Sequence, residues 1–143
     1  MSPSVYGAFV FTVLLLAITA YSVMGGLPLL ILQHDVPMDA RFVRAFFTTY
    51  YRIAVWLSLG AFLSYLLWGR PVFAAGAAGV CGANWLLRSR VGEAMQALSA
   101  QIAASEQGAI GRFRRAHAGA LLANLLVLGV VVTGVLRLSR EFA

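Results

Sequence analysis

Apolar residues run almost unbroken from Val5 to Leu32, return from Ile53 to Trp68 and from Val72 to Leu87, and last from Ala116 to Leu138. A helix needs roughly 20 apolar residues to cross the hydrocarbon core of a bilayer, so the pattern predicts four spanning helices. Helix 1 is expected over about 5–32. Pro3 suits its first turn, and Gly25, Gly26 and Pro28 should kink or loosen its end. Helix 2, about 39–68, opens on a polar stretch that Asp35 or Asp39 can cap. Gly69-Arg70-Pro71 reads as a short turn into helix 3, about 72–87. Helix 4 is expected over about 112–138.

The segment 88–107 has a different pattern. Val91, Met95, Leu98 and Ile102 recur at spacings of 4, 3 and 4, which places them on one face of a helix. This is an amphipathic extension, either continuous with helix 3 or lying along the interface. It packs on the bundle or docks a partner. The predicted fold is therefore all-α: one integral membrane four-helix bundle over 1–143, with an amphipathic extension between helices 3 and 4.

Composition narrows this picture. The chain has 143 residues, of which 61% are hydrophobic and only 11% charged. A soluble domain carries about a quarter charged residues, so a water-soluble enzyme of ordinary composition is excluded. The single cysteine, Cys81, rules out an internal disulfide. No basic residue precedes the first apolar run, which is too long for a signal peptide, so it reads as a retained membrane helix. The net charge of +6 comes entirely from Arg. Nucleic acid is not the expected partner, because the arginines lie at the edges of apolar runs, where membrane flanks carry them.

The Arg positions also set an orientation. Arg41, Arg44, Arg52, Arg88, Arg90, Arg112, Arg114 and Arg115 fall on one side, and Arg70, Arg137 and Arg140 on the other. The positive-inside rule places the first group in the cytoplasm of a bacterial-type inner membrane, with both termini outside. The openings of helices 2 and 4 echo one another, as Arg41-Phe42-Val43-Arg44-Ala45 and Arg112-Phe113-Arg114-Arg115-Ala116.

Polar groups inside hydrocarbon are costly and need partners or a role. Asn84 and Asn124 are expected to bond across helices 3 and 4. His34 and His117 both map to the cytoplasmic end and could serve as axial ligands of a haem, or hold a metal with a carboxylate such as Asp35. Arg41, Arg44 and Arg52, with Thr48, share one face of helix 2. With Arg112, Arg114 and Arg115 they form a cationic collar for anionic lipid headgroups or another anionic ligand. Gly76, Gly79 and Gly82 in helix 3, with Gly119, Ala120 and Ala123 in helix 4, are expected at close helix contacts. Trp56, Trp68, Trp85, Tyr6, Tyr50 and Tyr51 are expected in an aromatic belt at the headgroups.

The run Phe113 to Asn124, F-R-R-A-H-A-G-A-L-L-A-N, resembles the last-helix pattern F-x-x-x-H-x-x-x-x-x-x-N of the small four-helix bacterial domain-of-unknown-function 4149 family, relatives of transmembrane protein 205. Phe113, His117 and Asn124 carry that likeness. A looser likeness is to anthrone-oxygenase-like membrane proteins, which also carry a His early in the last helix. The first resemblance implies four membrane helices and supplies no reaction.

All five carboxylates lie outside the apolar cores, and no catalytic motif is present. The sequence therefore points to a non-catalytic membrane protein, an accessory or assembly subunit of a larger complex or a homo-oligomer. The alternative is a small haem-, metal- or anionic-ligand-binding membrane protein that uses His34, His117 and the Arg face.

Overall fold

A computed structural model describes residues 2–31, 33 and 37–140. They form four α-helices: α1 (Pro3–Leu29), α2 (Pro37–Leu67), α3 (Pro71–Ala103) and α4 (Ala109–Arg140). The fold is all-α, and among the described residues there is no strand. Each helix packs on the next, and α4 closes on α1, so the helices stand in the cyclic order α1, α2, α3, α4.

Packing follows a heptad rhythm. The buried positions of α1 are Val5, Ala8, Thr12, Leu15, Thr19, Ser22 and Gly26, spaced alternately 3 and 4. On α4, Phe113, His117, Ala120, Asn124, Val127 and Val131 repeat the rhythm. Alternation of 3 and 4 keeps one stripe facing the partner helices, as in left-handed bundles. On α3 the same phase passes through Ala74, Asn84, Met95 and Ile102. The amphipathic segment continues the stripe of the apolar half, so 88–103 belongs to one unbroken helix and does not turn along the interface.

What the stripes bury is unusual for a soluble bundle. Thr12, Thr19, Ser22, Ser58, Ser64, Asn84, His117 and Asn124 are all buried, while Leu, Val and aromatic side chains such as Phe9, Leu14, Leu67, Leu122 and Leu126 point outward. A chain in water hides its apolar groups first. Here the outside is more apolar than parts of the inside, as expected of helices surrounded by hydrocarbon. Three helices, α1, α2 and α4, are long and apolar enough to cross a membrane. The fourth expected crossing, α3, falls short: Gly76, Gly79, Gly82 and Asn84 dilute its apolar half, and Arg88 ends it.

The turns are built by local hydrogen bonds. After α2, Gly69 adopts φ +76°, its N–H bonds Leu66 O, and the Arg70 N–H reaches Tyr65 O at 3.0 Å. This double closure ends a helix when one residue takes the left-handed conformation, which glycine does at no steric cost. Pro71 then opens α3. After α3 the same closure recurs with Ser105 at φ 56°, its N–H on Ile102 O and the Glu106 N–H on Gln101 O. Arg112 pins this turn by donating to Gln101 at 2.9 Å and pairing with Glu106 at 3.6 Å. Pro28 lies inside the last turn of α1, which ends at Leu29, three residues short of the expected end.

Two expectations fail on the same geometry. Gly76, Gly79 and Gly82 miss the buried stripe of α3, and a Cβ added at any of them would meet nothing within 4 Å; Gly119 is equally open. Tyr50 and Tyr51 are not belt residues. They fall on the inward stripe of α2 and are 3% and 1% exposed. Trp56, Trp85 and Tyr6 do face outward.

Candidate functional site

Two polar assemblies stand out. The first crosses the bundle interior, where α1, α2 and α4 converge. Tyr51 of α2 donates its hydroxyl to Asn124 Oδ1 at 2.9 Å. Asn124 Nδ2 in turn donates to Ser22 Oγ of α1 at 3.3 Å. The Ser22 hydroxyl donates a hydrogen bond to Thr19 O, and the Tyr50 hydroxyl donates to Thr19 Oγ1 at 3.4 Å. Three helices are thus tied by one amide. That geometry satisfies both ends of the Asn124 side chain, which a lone polar group in hydrocarbon could not achieve.

His117 stands two turns before Asn124 on the same stripe. It is fully buried, with Nε2 3.2 Å from Gly26 O and its ring edge-on to Phe47, centroids 5.3 Å apart. Gly26 makes this approach: a Cβ there would collide with Leu121 and sit 3.5 Å from Phe47. His117 lines neither of the two cavities described below. Its other expected ligand partner, His34, lies outside the described residues, as does Asp35. Among the described residues no group of three His, Cys, Asp or Glu side chains stands close enough to hold a metal.

Asn84 and Asn124 do not bond one another. Asn84 is fully buried on α3 and donates Nδ2 to Val80 O of its own helix at 3.0 Å, and its Oδ1 has no partner among the described residues. Both amides lie on the inward stripes of their helices, and the partners differ. Asn124 faces the three-helix junction, where hydroxyls converge, whereas Asn84 turns its amide back along its own backbone.

The second assembly is an open cleft of about 670 Å³ between α2 and α3. Arg41, Arg44, Thr48 and Thr49 line it from α2, and Arg88, Ser89, Glu93 and Gln96 line it from α3, with Trp85 at its edge. Three guanidiniums face one carboxylate. Among the described residues none of the three arginines forms an ion pair, the sole pair being Arg112 with Glu106. Like charges gathered in one recess repel, and an anion placed among them would relieve that repulsion.

The collar expected from the sequence is therefore only partly one site. Arg41, Arg44 and Thr48 do share the cleft, but the third guanidinium is Arg88, which the one-face reading of helix 2 left out. Arg52 is exposed and outside the cleft. Arg112 is engaged at the α3–α4 turn. Arg114 reaches back to Leu30 O at 3.4 Å, and Arg115 is exposed on α4.

The sequence reading does not place the tyrosines and hydroxyls in the interior, although the signal is present. Thr12, Thr19 and Ser22 of α1 are spaced 7 and 3, the phase of Gly26 and of the buried stripe. In a helix that is apolar all round, the polar minority marks the inward face.

No protein-family model matches this chain, and no curated protein and no solved structure matches it.

Proposed function

We propose that this chain is a non-catalytic integral membrane protein that works by binding an anionic, phosphate-bearing group in the Arg41/Arg44/Arg88 cleft. The observation that carries this reading is the convergence of three guanidiniums from two helices on one recess with a single acid in its wall. Arginine forks suit planar or tetrahedral oxyanions, and the threonine and serine hydroxyls add donors beside them. All four helices cross in this reading, because α3 must carry the chain from the Arg70 turn back to the opposite end, where α4 begins. The Arg41/Arg44/Arg88 end then faces the cytoplasm of a bacterial inner membrane, and both termini lie outside.

The test uses an acyl-free probe, so that partition into lipid does not contribute. Calorimetric titration of the full chain in neutral detergent with glycerol 3-phosphate should give salt-dependent binding. The double variant Arg44→Gln/Arg88→Gln should weaken it at least tenfold and leave thermal unfolding unchanged. Equal heats from wild type and variant would overturn the reading.

A second reading rests on a different observation: α3 turns Gly79 and Gly82 into open space away from both cavities. Outward small residues let another helix approach closely in lipid, which supports an accessory or assembly subunit, or a homo-oligomer, docking through α3.

A further inference from the structure

A second, larger cavity lies at the other end of the bundle from the arginine cleft. It measures about 1060 Å³ and opens sideways between α3 and α4. Its depth is the informative feature. Leu15 of α1 and Ala61 of α2 line it, so it passes between α3 and α4 and ends against the far pair of helices. Its walls are apolar along their length, with Val80, Leu126, Val130 and Val131 toward the middle of the bundle. At the α2–α3 turn the character changes: Arg70, Arg137 and Arg140 line the same cavity from the turn and the end of α4. Arg70 lies with its guanidinium 5.1 Å above the Trp68 ring. Within the cavity, the Thr12 and Tyr65 hydroxyls bond each other at 2.8 Å.

A space of this size left empty forfeits dispersion contacts on every wall. Along the stretch lined by Val80, Leu126, Val130 and Val131 water is a poor filler, since those side chains offer it no partners. Hydrocarbon is the medium around the opening. The arginines at one end of an apolar slot are complementary to an amphiphile with a negative head. The volume is at the upper edge of the range of about 300–1,000 Å³ typical of small-molecule sites.

We propose that the slot between α3 and α4 is a binding site for an anionic phospholipid, with an acyl chain lodged between the helices and its phosphate against Arg70, Arg137 and Arg140. The lipid completes the bundle where α3 and α4 part, and it enters from the bilayer through the lateral opening. This site is separate in place and in lining from the Arg41/Arg44/Arg88 cleft.

Native mass spectrometry of the full chain from detergent, titrated with dioleoyl phosphatidylglycerol or with dioleoyl phosphatidylcholine, tests it. The wild type should retain one phosphatidylglycerol per chain at lipid concentrations at least fivefold below those needed for phosphatidylcholine. Gly129→Leu should cut retention at least fivefold. Gly129 is an exposed position of α4 on the cavity wall with no atom within 4 Å of an added Cβ, so the bulk enters the slot without disturbing a contact. Gly76→Leu, on the facing wall and equally open, gives an independent plug. Arg137→Gln/Arg140→Gln should keep lipid binding but erase the preference for the anionic head. Equal retention of both lipids by the wild type would overturn the proposal. So would plugged variants that bind as the wild type does, a dimer mass that displaces lipid, or retention lost only in Arg44→Gln/Arg88→Gln. The last outcome would place the lipid in the other cleft, so failure of this proposal is distinguishable from failure of the anion-binding one.

Discussion

Glycine is used in opposite ways on α1 and α3. On α1, Gly7, Gly25 and Gly26 each sit under a side chain of another helix: Ser64, Phe46 and Leu121. On α3, Gly76, Gly79 and Gly82 face nothing within 4 Å. Residue type is the same, and what differs is whether a side chain from a neighbouring helix lies over the glycine. Gly26 falls on the α1 stripe, whereas the three glycines of α3 fall between Ala74, Val80 and Asn84. A small residue in a membrane helix therefore marks close packing only where a side chain of a neighbouring helix lies over it, on the stripe as at Gly26 or one position beside it as at Gly7 and Gly25. Where nothing lies over it and no cavity adjoins it, as at Gly79 and Gly82, it marks surface that the bundle itself does not use.

Substitution at Gly26 should have the largest effect. Gly26→Leu places four carbons where one already collides with Leu121, and it displaces the backbone carbonyl that His117 meets. Overpacking of a tight core costs about 3 kcal/mol. Reversible unfolding in mixed micelles should show a loss of that order, with His117 no longer protected. A Gly26→Leu variant as stable as the wild type would mean that the two glycine sets do not differ in packing.

The interior amide should have a middling effect. Asn124→Leu removes the acceptor of Tyr51 and the donor to Ser22 together. Interhelical bonds in membranes contribute about 0.6 kcal/mol each on average, so the expected loss is about 1 kcal/mol, with Tyr51→Phe losing about half as much. The same unfolding assay reads both. If Asn84→Leu costs as much as Asn124→Leu, the contrast between the junction amide and the amide turned onto its own helix is wrong.

These contrasts show which parts of the molecule the sequence made legible. The helical fold followed from the apolar runs, and α1, α2 and α4 are as apolar as expected, whereas α3 is not. The stripe Val91, Met95, Leu98, Ile102 was legible as a helical face, but not as a continuation of helix 3. That required the phase upstream, and upstream the stripe consists of alanine, valine and one asparagine, which hydropathy does not separate from their neighbours. For the arginines, spacing assigns a face of one helix and not the helix opposite, so Arg88 was missing from the site and Arg52 was included in it. The tyrosines were misplaced because Tyr50 and Tyr51 stand near the polar end of an apolar run, where a headgroup belt is the usual reason for an aromatic. Their hydroxyls find Thr19 and Asn124 only once three helices meet.

The smallest effect on stability is expected at Gly79, where it is also the most informative about partners. Gly79→Leu adds a side chain where the folded chain has no atom within 4 Å, so unfolding should change by less than about 0.5 kcal/mol, as for substitutions away from packed contacts. Association should respond differently. A helix from a second copy or a partner subunit that packs on this face needs the glycine surface for close backbone approach, and a leucine there holds it off. Size-exclusion chromatography with light scattering in mild detergent should give an assembly larger than one chain for the wild type and a single chain for Gly79→Leu, at equal stability. A wild type that already runs as one chain, with no co-purifying subunit, would remove the docking role of α3. The open glycines would then belong to the lipid-facing surface, with α1 as the helix whose glycines build the bundle.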